Sequence, residues 1–162
     1  MRVDKNELLT GVTLKYRNFR GLERKLGGRV LNAEGKRNFN VVLNEDQYLD
    51  LKKKGWSVRM KEDADGNPEY LLKVNVMFGA RPPMIKMVPS DGGKGIMVTE
   101  ESVDQLDFVE IDNAELVIRP YNWDETGNNG AAAYLRSMRL DIYIDPLEAA
   151  MMAEDDEELP FA

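Results

Sequence analysis

A chain of 162 residues, 43% hydrophobic and 31% charged, fits one globular domain plus appendages. It holds no Cys and no His, which excludes disulfides, thiolate nucleophiles, Cys/His zinc sites and His-dependent catalytic triads. The formal net charge of -7 hides a polarity: residues 1–61 carry 15 Lys+Arg against 7 Asp+Glu, a net of +8, and residues 62–153 carry 7 against 17, a net of -10, so a basic surface for a polyanion is compatible with an acidic whole.

From the N-terminus onward, alternation and turn chemistry dominate. In "VTLKYRNF" (12–19), Val12, Leu14 and Tyr16 fall on one face and Lys15, Arg17 and Phe19 on the other, the period of two that marks a half-buried strand. Residues 37–43 repeat the pattern, with Phe39, Val41 and Leu43 inward. Residues 44–55 read as a helix: Asn44 at the N-cap, Glu45 and Asp46 in the first turn, Lys52 to Lys54 in the last, and Gly55 as the stop. A hairpin is predicted from residues 56–61 and 70–78 across "EDADGNPE", with Tyr70, Leu72, Val74, Val76 and Phe78 inward and Leu71, Lys73, Asn75 and Met77 outward. A second hairpin is expected from 83–88 and 96–98, a short helix at 100–106 capped by Thr99, and two long strands at 114–123 and 131–144. About seven strands joined by Gly/Asn/Asp turns, with one or two short helices, predict an all-β fold of the decorated, OB-like barrel kind over residues 1–145. The strong helix comes early for that fold, whose own helix lies between the third and fourth barrel strands.

Three motifs invite chemistry and are better read as structure. "EDADGNPE" alternates Asp63, Asp65 and Asn67 like a calcium loop, but Pro68 and Val74 stand where that loop needs Gly and Glu, leaving a hairpin turn. "SDGGKG" lacks the spacing of a phosphate-binding loop. The carboxylate pairs Asp104/Asp107, Glu110/Asp112 and Asp141/Asp145 show no spacing that singles out a two-metal nuclease.

Basic residues interleaved with aromatics are more informative. "LKYRNFRGLERKLGGR" (14–29) sets Lys15, Arg17, Arg20, Arg24, Lys25 and Arg29 around Phe19. Cations neutralise phosphates while flat side chains stack on unpaired bases, the combination that grips single strands. Arg37, Arg59, Lys61, Lys73 and Asn75 extend the candidate surface, and in "RPYNW" Arg119, Tyr121 and Trp123 share one strand face. The nucleic-acid site is therefore expected at Lys15, Arg17, Phe19, Arg20, Arg37, Arg59, Lys61, Lys73, Asn75, Tyr121 and Trp123. Phe19 and Trp123 are the expected stacking rings, whereas Tyr16, Phe39 and Tyr70 are assigned to the core.

Residues 154–158 are five consecutive carboxylates, followed by Leu159, Pro160, Phe161 and Ala162. "DDEELPF" resembles the C-terminal tip of bacterial single-stranded DNA-binding proteins. Separately, "VTLKYRNFRG", "GKRNFNVVL", "GWSVRM", "YLLKVNV" and "RPYNW" followed by "AYLRSMRL" are similar to OB-fold single-stranded DNA-binding proteins of tailed bacteriophages and prophages. The resemblance implies a barrel that binds single strands with little sequence preference. It also implies a flexible acidic tail (146–162) whose Asp155, Asp156, Glu157, Glu158, Leu159, Pro160 and Phe161 recruit replication and recombination proteins. The bacterial tip closes on Phe, whereas Ala162 follows here.

Together these readings predict a non-enzymatic protein that coats single-stranded DNA. No cofactor, metal or membrane partner is expected, homo-oligomerisation is left open, and the location is the cytoplasm, that of the bacterial host if the chain is phage-encoded. The alternative is a regulatory or DNA-mimicking interaction protein acting through its acidic surface. In that case the cations of residues 1–61 should be dispersed rather than line a groove.

Overall fold

Alternating apolar residues close five strands of the chain into a barrel. The computed structural model describes residues 2–125, 127–144, 147 and 151. In chain order the elements are β1 (Glu7–Asn18), β2 (Arg24–Leu26), β3 (Arg29–Asn32), β4 (Arg37–Leu43), α1 (Glu45–Lys54), β5 (Val58–Glu62), β6 (Pro68–Val76), β7 (Met84–Pro89), β8 (Ile96–Val98), a 3-10 turn (Val103–Asp107), β9 (Ile111–Glu125) and β10 (Asn128–Ile142). β6, β4, β1, β9 and β10 pair in that order, and a parallel pairing of β6 with β10 closes the ring. Antiparallel neighbours elsewhere and one parallel seam give a five-stranded OB-like barrel. Three additions decorate it. β5 extends the β6 edge, the β7–β8 hairpin runs alongside β10, and β2–β3 forms a separate ribbon in the loop that joins the first two barrel strands.

The barrel fills with the inward residues of every strand, including Val41, Val74, Leu116, Ile118 and Leu140, each at most 2% exposed. Burying side chains of this size contributes roughly 1.5–3 kcal/mol apiece. α1 forms where its end signals place it. Asn44 accepts from the Gln47 backbone N–H while the Gln47 side chain accepts from the Asn44 N–H, a full capping box, and Gly55 (φ 108°) closes the helix in the left-handed region. The helix is inserted between the second and third barrel strands, and the connection between the third and fourth holds the β7–β8 hairpin followed by the 3-10 turn. That turn starts at Val103, later than the predicted helix, and Ser102 rather than Thr99 precedes it.

Two local readings change. Leu71, assigned to the outward face, is fully buried at a point where β6 is flanked on both sides, by Val42 of β4 and Arg59 of β5. The stretch after Arg20, where no strand is predicted, contains the β2–β3 ribbon. "EDADGNPE" is a turn in which Asp63 Oδ1 accepts from the Asp65 and Asn67 N–H groups, so this carboxylate serves the backbone. Among the described residues no group of three or more Asp/Glu side chains is placed to hold a metal ion. The expected tail, from Asp155 to Phe161, lies outside the described residues.

Candidate nucleic-acid interface

β4 and β6 present polar side chains outward at every second position, and their register sets Asn40 opposite Lys73 and Asn38 opposite Asn75. β5 adds Arg59 and Lys61, with Arg59 Nη2 donating to Asn40 Oδ1 at 3.3 Å. Tyr16 of β1, Arg24 and Leu31 of the β2–β3 ribbon, Trp123 of β9 and Ala132 of β10 complete an open groove of about 580 Å³. Its position follows from topology. The groove runs over the second and third barrel strands, with the ribbon at one end and the β9–β10 turn near the other.

The ribbon is held by its ends. Gly27 (φ 56°) and Gly28 (φ 84°) form its two-residue turn, with positive φ at both positions as a type I′ hairpin requires. At its root, Asn18 Nδ2 donates to Leu22 O at 3.0 Å and Asn18 Oδ1 accepts from Leu22 N–H at 2.9 Å. Asn32 Nδ2 also donates to Leu22 O at 2.8 Å, and Asn38 Nδ2 donates to Asn32 Oδ1 at 2.8 Å. These amide bonds tie the ribbon to β4 and so place Arg24 and Leu31 at the groove.

Tyr16 and Phe19 exchange their expected roles. The β1–β4 register shifts between Lys15 and Asn18, and Tyr16 takes φ 54°, a left-handed conformation that costs a non-glycine residue about 1–3 kcal/mol. An irregularity of this kind reverses the alternation that follows it. Tyr16 therefore lines the groove, with the Lys61 ammonium 4.0 Å and the Lys15 ammonium 5.2 Å from its ring centroid. Phe19 is fully buried and stacks on Phe39 with centroids 5.1 Å apart, so it has no face for a base. Trp123 is positioned differently. It lies opposite Gly130, where a Cβ would come within 3.0 Å of the indole ring, and its Nε1 donates to Ser57 Oγ at 3.3 Å. Glycine at 130 thus makes room for the ring beside the sheet.

Ion pairing sorts the remaining residues. Among the described residues Arg24, Arg59, Lys61 and Lys73 make no ion pair, and no carboxylate lines the groove. Lys15 sits at the margin, 3.0 Å from Glu69 Oε2. That hydrogen bond raises the Lys15 ammonium above its ordinary range and holds the Glu69 carboxyl below its own, outweighing the opposing effect of burial on each. Three of the expected phosphate ligands do other work. Arg17 Nη1 donates to Leu106 O at 2.8 Å and Val109 O at 2.7 Å, and Arg20 pairs with Asp107 at 2.8 Å. Arg37 Nε donates to Phe19 O at 2.9 Å, with Glu100 and Asp104 at 3.6 and 3.8 Å from its guanidinium.

The structure thus brings Arg59, Lys61, Lys73, Asn75 and Trp123 together in one groove and leaves Arg17, Phe19 and Arg20 outside it. Arg37 lies in an adjoining cleft with Asn75 and Tyr134, and Tyr121 is exposed beside Tyr134 in an edge-to-face contact at 6.0 Å. Tyr16, Arg24, Asn38 and Asn40 line the groove and Tyr134 lines the adjoining cleft, and none of the five is among the expected site residues. For the asparagines a signal existed, since they occupy outward positions of a predicted strand.

Comparison with known proteins follows the same direction. Residues 1–159 match the family described as "Putative phage ssDNA-binding domain". Among solved structures, the chain is similar to the single-stranded DNA-binding protein from bacteriophage Enc34 in complex with ssDNA: 11% identity, TM-score 0.50, covering 87% of this chain and 88% of that one. The C-terminal truncation of the Enc34 protein aligns at 12% identity and TM-score 0.47, with 87% and 88% covered. At such identity the likeness bears on the fold alone. Among curated proteins none matches.

Proposed function

We propose a function from a plain premise: this chain belongs to the phage ssDNA-binding domain family. The chain binds single-stranded DNA with little sequence preference along the groove between the β2–β3 ribbon and Trp123. One observation carries the reading. Four cations with no ion pair among the described residues converge on a groove without carboxylates, interleaved with the rings of Tyr16 and Trp123. Phosphates answer the cations, bases stack on the rings at about 1–3 kcal/mol each, and groove amides meet whichever base edge faces them. The alternative as a DNA mimic requires the cations of residues 1–61 to be dispersed, whereas Arg24, Arg59 and Lys61 converge with Lys73.

Residues 1–145 form the binding domain, and residues 146–162 act as an acidic tail that recruits replication and recombination proteins in the host cytoplasm. Support for the tail is compositional: five carboxylates give long-range attraction, and the apolar tip gives a specific anchor. The groove is tested by titrating a fluorescent oligo-dT at low salt, where absence of binding ends the proposal. Deletion of residues 154–162 tests the tail. DNA affinity should be kept or increased and capture of host replication proteins lost.

A further inference from the structure

Beyond the groove, β9 and β10 continue an outward face on which side chains recur at every second residue. Cross-strand pairs order it: Trp123 opposite Gly130, Tyr121 opposite Ala132, and Arg119 opposite Tyr134. The barrel seam joins this face to the groove, because Tyr134 pairs with Asn75 of β6, and Asn75 lines both the groove and the cleft that contains Tyr134. From Trp123 to Arg119 the strand advances roughly 14 Å, at about 3.4 Å per residue. There the face opens into a second cleft of about 550 Å³, lined by Asn6, Arg81, Pro82, Arg119, Pro120 and Arg136.

Three guanidiniums and no carboxylate line this cleft. Among the described residues none of the three makes an ion pair. Arg119 lies 4.9 Å from the Tyr134 ring centroid. Arg136 falls where the β9–β10 register shifts, between Leu135 and Ser137, an irregularity that re-aims a side chain and here leaves Arg136 exposed beside Arg119. Arginines held close without acids repel one another, and a multivalent anion removes that repulsion through forked hydrogen bonds.

We propose that this arginine cleft is a second phosphate-binding site, taking the backbone of the same DNA strand where it leaves the groove across Tyr121 and Tyr134. The inference rests on the groove being the DNA site. Nucleic acid is favoured over an acidic peptide because the rings of Trp123, Tyr121 and Tyr134 lead from the groove to Arg119 and Arg136, stacking surfaces for bases that end at cations for phosphates.

The experiment compares wild type with R81A/R136A, which removes two exposed side chains and keeps Arg119 on Tyr134. Binding is measured against salt, using the shortest oligo-dT the wild type holds and one of about 20 nucleotides. On the long oligonucleotide the slope of log K against log salt should fall by about 1.4, at about 0.7 per lost phosphate contact, and on the short one it should not change. An unchanged slope at both lengths overturns the second site and leaves the groove standing, as does an equal loss at both. A variant that binds DNA normally but no longer holds a synthetic peptide of residues 154–162 overturns it in favour of an acidic segment. If wild type binds neither oligonucleotide, the groove reading falls first.

Discussion

Two sets of cations in this barrel share residue type and sequence neighbourhood and differ in what surrounds them. Arg17, Arg20 and Arg37 point their guanidiniums at Leu106 O, Val109 O, Asp107, Phe19 O, Glu100 and Asp104, fastening the 3-10 turn and its flanks to β1 and β4. Arg24, Arg59, Lys61 and Lys73 face an open groove without an ion pair among the described residues. A cation already supplied with acceptors gains little from a phosphate, whereas one in an acid-free groove gains a charge-assisted bond and releases counterions from the DNA. Charge alone therefore does not mark the interface. What matters is whether the protein itself has used the charge.

The strongest way to break this contrast is at the point where the two regions meet in sequence. Phe19→Ala should destabilise the fold by about 3–5 kcal/mol in denaturant titration, as expected for a fully buried ring stacked on Phe39. Tyr16→Ala should leave the unfolding midpoint near wild type and weaken oligo-dT binding by about 1–3 kcal/mol. The opposite pattern, with Phe19 controlling binding and Tyr16 stability, would show that β1 keeps its alternation in solution.

Next in size is the fastening side. Asp107, with a side chain 2% exposed, accepts from Phe19 N–H, Arg20 N–H and Arg20 Nε. Asp107→Ala strands those donors and should cost about 1–3 kcal/mol of stability while leaving the salt slope of DNA binding unchanged. A reduced slope would mean that Arg20 contacts phosphate after all.

The pair Tyr16/Phe19 also shows where the sequence was legible. Local signals give the architecture because they act within a few residues: the α1 caps, the turn between β5 and β6, and the inward residues of β4 and β6 appear where the pattern puts them. Closure of the barrel by parallel pairing of β6 with β10 depends on contacts 58 or more residues apart, as between Asn75 and Ala133, and has no local marker. A one-residue irregularity at Tyr16 is similarly silent, yet it is followed by Phe19 in the core rather than on the polar face. The site is thus readable where strands are regular, as at Lys73 and Asn75, and misread just beyond Tyr16. The acceptors that Arg17 and Arg20 find within the protein have no local marker either, since they lie about 90 positions away in sequence.

On the groove side, single cations should act weakly and additively. Lys61→Ala, Lys73→Ala and Arg59→Ala should each reduce the salt slope by about 0.7 with little change in melting temperature. For Lys61 some affinity loss should also come from the ring of Tyr16, which its ammonium covers at 4.0 Å. A mutant that loses affinity at every salt concentration without a change in slope would assign that cation to packing.

The smallest effect belongs to the boundary between the two regions, where Lys15 bonds to Glu69 at the groove margin. Glu69 is held below its ordinary value of 4.5, first by the hydrogen bond from Lys15. A carboxyl depressed on folding adds stability that is present above the unfolded value and is lost as pH falls through the folded one. The unfolding midpoint should therefore decline below about pH 4.5 in wild type, and Glu69→Gln should flatten that decline. Lys15, raised above 10.5, sets the mirror case, with stability present below that value and lost as pH rises through the higher folded one. Between these limits Glu69 keeps Lys15 occupied. Removing the carboxylate should release a fifth cation to the groove and steepen the salt slope of DNA binding, by at most about 0.7. If Glu69→Gln leaves the slope unchanged, Lys15 belongs with the fastening cations, and the boundary lies between it and Tyr16.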